Sequence, residues 1–256
     1  MRLHLQSETA YSCSVEFPDP LIRGVLIKRY KRFLSDIALK SGETVTAHCA
    51  NSGSMMGLLE PGAEVWLSPA RNPKRKLKYT WELVRNGDGL VGINTSLPNA
   101  IVSEAIQAGV IVELTGYGSL RREVRYGKNS RIDILLEDDG LLESDGRAPC
   151  YVEIKSVTLK RDGQNTGLAE FPDSVTARGT KHLGELSDMV ADGARAVMLY
   201  LVQREDCDHF AVAADIDPAY GEALVAARAA GVEAICYACR VSPSAIELDR
   251  ALPLDL

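Results

Sequence analysis

The sequence lacks the features that identify membrane-spanning, secreted and disulfide-stabilised proteins. Its 256 residues contain no apolar run near the roughly 20 residues that a transmembrane helix needs. The first eight residues lack the apolar core of a secretory signal. Six cysteines are too few for a disulfide scaffold in a chain of this length. We therefore expect a cytoplasmic protein with reduced thiols and no membrane partner.

The composition is that of a globular protein. Hydrophobic residues make up 46% of the chain and charged residues 25%, a balance that supports a folded core and excludes a disordered chain, a collagen or a coiled coil. Internal repeats and low-complexity segments are also absent from the sequence. The length allows one large domain or two smaller ones.

The charge is distributed unevenly, although the net charge of the whole chain is only −6. Residues 1–87 carry 13 lysines and arginines against 8 aspartates and glutamates, which gives +5. Residues 88–256 carry 16 against 27, which gives −11. Such an asymmetry predicts a local surface that binds a polyanion, so the overall charge does not exclude nucleic acid as a partner.

Residues 1–87 are predicted to form a small β-barrel. Short runs with β character alternate with turn signals, and about 85 residues of this kind match the size of a five-stranded OB-like barrel. The turn-rich stretch 86–89 marks the predicted boundary to a second domain, residues 88–256. The predicted strands of the first domain are 21–28, 33–39, 44–48, 65–68 and 80–84.

Residues 88–256 have a different periodicity. Their predicted order is helix, three strands, helix, strand, helix, strand, which is typical of an α/β sandwich rather than a βαβ repeat. We expect a mixed sheet flanked by helices. The predicted helices are 99–110, 176–191 and 218–230, and the predicted strands are 121–126, 130–137, 150–159, 196–203 and 232–239.

Two of these strands carry charged side chains among apolar ones. Glu153 and Lys155 share one face of their strand, because side chains alternate along a strand. Asp133 lies in the preceding strand, where aspartate is uncommon. If the two strands are antiparallel neighbours, Asp133 and Glu153 can meet around a hard divalent cation, Mg²⁺ or Mn²⁺. Lys155 can then orient a water molecule or neutralise the charge of a phosphate under attack.

A less specific interpretation stays open for each of these residues. A Glu–Lys pair on a strand is also typical of a surface ion pair, which is common and contributes little to stability. Glu104, on the first predicted helix, either supplies a further metal ligand or is an ordinary solvated charge. The sequence does not decide between these two roles for Glu104.

Two basic clusters in the first domain are predicted to contact DNA phosphates, and further arginines continue the track toward Asp133. The clusters are interleaved with aromatic residues, as in the nucleic-acid grooves of small barrels, although we expect the aromatic rings to lie in the core. The barrel cations are Lys28, Arg29, Lys31, Arg32, Lys74, Arg75, Lys76 and Lys78, and those beyond the barrel are Arg121, Arg122, Arg125, Lys128 and Arg131.

Five other polar residues are candidates for the same surface, each with a purely structural role as the alternative. His48 and Asn51 lie in or beside a glycine-containing loop that either binds a DNA backbone or simply turns a corner. Lys181 and His182, near the start of a helix, can contact a phosphate. Gln203 ends a buried strand and can face the site.

These residues resemble two known patterns. Asp133 followed by Glu153-x-Lys155 on the next strand looks like the PD-(D/E)xK, or restriction-endonuclease-like, fold. From residue 17 onward the chain also closely resembles the sugar fermentation stimulation protein (SfsA) family. This second resemblance is carried by residues 26–33, 48–55, 74–81, 151–158, 171–173, 178–183 and 201–204. It implies an N-terminal OB-like domain, a nuclease-like C-terminal domain, DNA binding with little sequence preference, and a link to the regulation of sugar metabolism, notably of maltose.

Two functions from different classes follow. The leading one is a cytoplasmic DNA-binding protein whose surface spans both domains. The alternative is a metal-dependent nuclease in which Asp133 and Glu153 hold the cation and Lys155 positions water; the fold alone does not establish turnover. A sugar-binding regulator ranks last, because no segment marks a sugar pocket or a helix-turn-helix. The sequence leaves open the preferred form of DNA, the identity of the metal and the oligomeric state.

Overall fold

The computed structural model describes residues 14–127, 129–138, 146–161, 163 and 167–256, which form sixteen strands and three α-helices. The strands of the first part are β1 (Ser14–Glu16), β2 (Ile22–Tyr30), β3 (Leu34–Leu39), β4 (Thr44–Cys49), β5 (Glu64–Pro69), β6 (Tyr79–Asn86) and β7 (Gly89–Gly92). There follow α1 (Pro98–Gln107), β8 (Ser119–Tyr126), β9 (Ser130–Glu137), β10 (Cys150–Val157), β11 (Leu168–Phe171), α2 (Ala177–Ala191) and β12 (Arg195–Val202). The last elements are β13 (His209–Val212), α3 (Pro218–Ala229), β14 (Glu233–Val241), β15 (Ala245–Ala251) and β16 (Leu254–Asp255).

The N-terminal strands form the expected OB-like barrel. Their sheet has the order β4-β3-β2-β5-β6-β7, and an additional parallel pairing of β4 with β6 closes the barrel. Trp81 is fully buried inside it, and its indole nitrogen donates a hydrogen bond to the Leu83 carbonyl at 2.8 Å. The predicted boundary near residue 87 lies in the turn between β6 and β7, so the last strand of this sheet follows it.

The C-terminal part contains the expected mixed sheet, with the order β1-β15-β14-β12-β10-β9-β8. Strands β10, β12 and β14 are parallel neighbours, whereas β9 and β8 pair with β10 and β9 in antiparallel fashion. Helix α2 connects β10 to β12, and α3 connects β12 to β14. The prediction that βαβ units are absent is therefore wrong: the later half contains two consecutive ones, as parallel neighbours require.

Each face of this sheet packs into its own hydrophobic core. One core includes α1 residues such as Ile101 and Val102, and the other includes Leu183 of α2 and Leu224 of α3. Strand β12 lies in the middle and is buried along Ala196–Val202, which explains its continuous apolar sequence. No helix among the described residues is long and apolar enough to cross a membrane.

Local capping explains where two of the helices begin. The Thr176 hydroxyl accepts a hydrogen bond from the Gly179 amide at the start of α2, and an Asp217 carboxylate oxygen accepts one from the Tyr220 amide at the start of α3. Asp217 also accepts a hydrogen bond from the Thr176 amide at 2.7 Å. This carboxylate therefore fixes the start of α2 relative to α3.

The barrel is fastened to the C-terminal sheet by buried polar contacts. Arg204 is only 1% exposed, and its guanidinium donates to Asn86 of the barrel, to the Thr158 carbonyl and to Asp206. The Gly92 amide donates to the Gln203 carbonyl at 2.9 Å. These contacts set the position of the barrel loops relative to the charged strands β9 and β10.

Candidate functional site

A cleft of about 710 Å³ lies between the barrel and the C-terminal sheet. The barrel contributes Arg32 and the loop 51–53 to its wall. The C-terminal part contributes the start of α1, strands β8, β9 and β10, and the start of α2. Asp133, Glu153 and Lys155 all line this cleft, so the structure brings the three predicted catalytic residues together.

Asp133 is held by two hydrogen-bond donors. One of its oxygens accepts a hydrogen bond from the Ile154 amide at 2.8 Å, and the other accepts one from the Asn99 side chain at 2.9 Å. Burial, together with the nearby charge of Glu153, raises the pKa of Asp133 from 3.8 to about 6. The charge of Glu153 thus disfavours ionisation of Asp133, and a cation in the cleft would relieve this repulsion.

Glu153 is nearly fully buried, at 3% exposure, and one of its oxygens receives two donors. Lys155 donates to this oxygen, Oε1, at 2.7 Å, and His182 contacts the same atom through Nδ1. Burial by itself raises the pKa of Glu153, but the hydrogen bonds from His182 and Lys155 outweigh it and hold the pKa below its ordinary value. Glu153 is therefore kept ionised inside the protein.

The other ring nitrogen of His182 fixes its tautomer. Arg178 Nε lies 3.3 Å from His182 Nε2 and can only donate, so Nε2 accepts and Nδ1 carries the proton that points at Glu153. His182 is itself buried at 4% exposure. The imidazole thus orients Glu153. His182 lines the cleft, but both of its ring nitrogens already have partners, so its contact with a phosphate stays a prediction.

The donor set fits a divalent cation of the magnesium type. Glu153 Oε2 is buried and has no hydrogen-bond partner among the described residues, and it belongs to a carboxylate that lines the cleft with Asp133. Within that part of the chain, no group of three or more His, Cys, Asp and Glu side chains is arranged to hold a metal alone. Mg²⁺ commonly takes only one or two protein carboxylates and completes its shell with water and phosphate, so Asp133 and Glu153 suffice.

The prediction that α1 supplies Glu104 to the metal is corrected by the structure. Glu104 is exposed, whereas its neighbours Ser103 and Ala105 are buried, and it does not line the cleft. Asn99, at the start of the same helix, faces the cleft instead and donates to Asp133. The rotation of α1 about its axis determines which of its side chains face the cleft, and the sequence pattern did not specify that rotation.

Sequence reasoning missed three further carboxylates of the cleft, Glu123, Glu170 and Asp173, of which Glu123 shares a hydrogen-bond donor with Asp133. Glu123 of β8 lines the cleft and accepts a hydrogen bond from Asn99 at 2.9 Å. Its φ of +54° is unusual for a residue other than glycine inside a strand. The only sequence signal was the position of Glu123 opposite Asp133 if β8 and β9 pair, since nothing in the residue types indicates the backbone conformation.

The predicted basic track is only partly assembled at the cleft. Arg32 and Arg122 are exposed and line it, and Arg178 of α2 is exposed and lines it as well. Lys28 and Lys31 are exposed on the hairpin that carries Arg32. Arg131 lines a separate hollow with Arg125, and Lys128 lies outside the described residues. The second barrel cluster, Lys74, Arg75, Lys76 and Lys78, does not line the cleft.

Arg29 has a structural role instead of the predicted DNA contact. Its guanidinium donates to the carbonyls of Arg32, Asn51, Gly53 and Ser54. These four acceptors occupy the donor groups that a phosphate would need. Arg29 therefore shapes the loop 51–54, whose backbone forms one wall of the cleft.

Of the remaining candidates, Asn51 lines the cleft, whereas His48, Lys181 and Gln203 do not. Asn51 lines the cleft but is buried, and its side chain bonds the Ile93 carbonyl and the Gly53 amide. His48 lies beside Phe33, with ring centroids 6.4 Å apart. Lys181 donates to Ser130 at 3.1 Å and does not line the cleft. Gln203 is fully buried at the junction with the barrel, where it donates to Ser156.

Comparisons with known proteins agree with this architecture. Residues 27–93 match the family model described as the SfsA N-terminal OB domain, and residues 96–245 match that of the sugar fermentation stimulation protein RE domain. The chain is 58% identical over 242 residues to a sugar fermentation stimulation protein homolog of Paramagnetospirillum magneticum, covering 94% of this chain and 98% of that protein. It is 59% identical over 240 residues to a homolog of Rhodospirillum rubrum, covering 93% and 98%.

A solved structure is also similar over nearly the whole chain. It is described as Pyrococcus furiosus SfsA in complex with Ca²⁺, and it shares 25% sequence identity with this chain. The TM-score is 0.83, and the match covers 94% of this chain and 98% of the other. The arrangement of the barrel and the mixed sheet is therefore common to both proteins.

Proposed function

Because this chain belongs to the sugar fermentation stimulation protein family, we propose that it binds DNA with little sequence preference through the cleft between its two parts. The proposal rests on the combination of arginine and carboxylate side chains in the cleft. Exposed Arg32, Arg122 and Arg178 line the cleft together with the partly buried Asp133 and the buried Glu153. Cations of this kind bind phosphates, and carboxylates beside them repel phosphates unless a divalent cation intervenes.

The family name also favours a role connected with sugar metabolism. The curated relatives are named for the stimulation of sugar fermentation, and a DNA-binding protein that regulates carbohydrate metabolism, notably that of maltose, is consistent with this name. DNA binding without base-specific contacts relies on the phosphate backbone. We expect the regulatory effect to depend on the same cleft.

The second candidate function is divalent-metal-dependent hydrolysis of DNA phosphodiester bonds. Its supporting observation is the position of Lys155, whose ammonium group lies 2.7 Å from Glu153 in the wall of the cleft. When bound, Mg²⁺ or Mn²⁺ polarises a phosphate oxygen and lowers the pKa of a bound water molecule. Lys155 would hold positive charge beside the phosphate, and Asn99 and His182 would orient the two carboxylates. The Ca²⁺ named for the archaeal relative supports a divalent site in the same fold.

A binding titration tests the first proposal. Wild-type protein should bind unrelated DNA sequences with similar affinity, and log Kd should change linearly with the logarithm of the salt concentration. Replacing Arg32 or Arg122 with alanine should weaken binding to every sequence alike and reduce the salt slope by about one. Lys76→Ala is the matched control, because Lys76 is exposed outside the cleft. An unchanged salt slope in both cleft variants would refute the proposed surface.

A cleavage assay separates the two candidates. Single-stranded, duplex and branched DNA are incubated with Mg²⁺ or Mn²⁺, and in parallel with a chelator. Cleavage that disappears in the chelator and in Asp133→Ala and Lys155→Ala establishes the nuclease. Binding with no cleavage of any substrate leaves a binding protein.

A further inference from the structure

Phe33 is an exposed aromatic residue that follows Arg32, which lines the cleft, directly in the chain. Among the aromatic side chains that the structure describes, it is the only one in the exposed class, with 44% of its surface accessible. Trp66 and Trp81 are buried in or against the barrel. A single exposed apolar residue is common on protein surfaces, so the exposure of Phe33 does not by itself indicate a function. Its neighbours provide the further evidence.

The hairpin that carries Phe33 holds it in a defined position. Lys31 and Arg32, at the tip between β2 and β3, have φ angles of +46° and +64°, a conformation that residues other than glycine rarely adopt. The Phe33 amide donates to the Lys31 carbonyl at 2.7 Å, and the Phe33 carbonyl accepts from the Cys49 amide at 2.9 Å. Arg29 also donates to the Arg32 carbonyl at 2.9 Å. The tip is thus tied to the barrel and presents a rigid ring.

The immediate neighbours of Phe33 are an aromatic ring and two cations. His48 lies behind it at 6.4 Å between ring centroids, with an angle of 35° between the ring planes. Lys31 and Arg32 are exposed and make no ion pair within the described residues. Arg32 lines the same cleft as Asp133 and Lys155. An apolar ring whose chain neighbours are two exposed cations suits a nucleotide better than it suits an apolar protein partner.

Resting on the proposed DNA-binding function, we propose that Phe33, supported by His48, is a stacking subsite for one unpaired base, whose flanking phosphates lie against Lys31 and Arg32. Both faces of a base inside a duplex are already covered by neighbouring bases, so only an unpaired base can stack on the ring. The subsite therefore makes the protein select DNA that has a single-stranded segment beside the cleft.

The experiment compares binding of three fluorescently labelled DNAs: a single strand, a blunt duplex, and the same duplex with an unpaired overhang. Wild-type protein should bind the single strand and the overhang more tightly than the blunt duplex. Phe33→Ala should weaken binding of the first two about ten-fold, the typical contribution of one stacked base, and leave the blunt duplex unchanged. Phe33→Trp should bind the single strand and the overhang about as tightly as the wild type does. Binding of single-stranded DNA should quench the fluorescence of the introduced tryptophan.

Val25→Ala is the matched control, because Val25 lies in β2 of the same hairpin with 43% exposure but away from the tip that carries Lys31, Arg32 and Phe33. It should bind all three DNAs like the wild type. Equal affinity of wild type and Phe33→Ala for every DNA, or an equal loss on all three, would overturn the stacking subsite while leaving DNA binding intact. A wild-type protein that binds none of the three DNAs would instead overturn the proposed function itself.

Discussion

Asn99 holds Asp133 from the side of α1: its amide nitrogen lies 2.9 Å from one carboxylate oxygen of Asp133. The same nitrogen lies 2.9 Å from Glu123, so a single side chain joins two carboxylates of the cleft. This arrangement orients Asp133 without neutralising it. It also gives the N-terminal turn of α1 a direct role at the site, whereas Ile101, Val102, Ala105 and Ile106 of the same helix pack into the core.

Replacing Asn99 with alanine should weaken binding of Mn²⁺ by about 10- to 100-fold, because partners that orient a ligand usually contribute that much to metal affinity. Isothermal titration calorimetry measures the change. Glu104→Ala, on the exposed face of the same helix, is the control and should bind Mn²⁺ like the wild type. Weakened binding in Glu104→Ala but not in Asn99→Ala would reverse the assignment.

His182 should act as a positioning residue for Glu153. His182→Ala removes the Nδ1 donor, so we expect weaker Mn²⁺ binding, whereas His182→Asn supplies an amide donor in a similar position and should recover part of the affinity. Calorimetric titration of both variants, with thermal unfolding as a check on the fold, measures this difference. Two variants that lose affinity equally would indicate that His182 contributes only packing.

Arg204 should be essential for the attachment of the barrel. Removing its guanidinium leaves the Thr158 carbonyl without this donor and Asp206 with Lys160 as its remaining partner. Breaking a buried ion pair typically costs about 3–5 kcal/mol. Arg204→Met keeps most of the side-chain volume, so denaturant unfolding of this variant measures the polar contribution. Arg240→Met, whose guanidinium pairs with Asp249 at the surface, should change stability little. Similar losses in both variants would contradict the account.

The ion pairs of Asp206 should make stability depend on acid pH. Burial opposes ionisation of this carboxyl, but hydrogen bonds from Arg204 and Lys160 prevail and lower its pKa from 3.8 to about 2. The folded protein therefore holds fewer protons than the unfolded chain in this range, so the stabilisation is present above about pH 4 and is lost as the pH falls toward 2. Asp206→Asn should be less stable at neutral pH and show a flatter decline between pH 4 and pH 2. An identical decline would show that other carboxyls account for it.

The sequence predicted the long elements and the two strands that carry Asp133 and Glu153 well, because these have clear periodicity. The four-residue strands Leu168–Phe171 and His209–Val212 and the strand Ala245–Ala251 were missed. The two short ones offer too few residues for an alternation to be recognised, and their pairing with each other depends on distant parts of the chain. The antiparallel pairing of β9 and β10, which the sequence analysis stated only as a condition, is present, and the Ile154 amide donates to Asp133 across it.

The candidate site was predictable only where residue type by itself carries the information. Buried carboxylates and a lysine at alternating positions identify Asp133, Glu153 and Lys155. Which basic residues are free to contact a ligand depends on hydrogen bonds between distant segments of the chain. Arg29 and Arg32 are equally basic in the sequence. In the structure, Arg29 donates to carbonyls of the loop 51–54, whereas Arg32 is exposed at the cleft.

The most direct test of the central claim is a calorimetric titration of Mn²⁺ into the wild-type protein and into Asp133→Asn and Glu153→Gln, each checked for folding. If these two carboxylates gather a divalent cation in the cleft, the wild type binds Mn²⁺ saturably and each substitution abolishes or greatly weakens that binding. Equal binding by all three proteins, or none by the wild type, would contradict the claim.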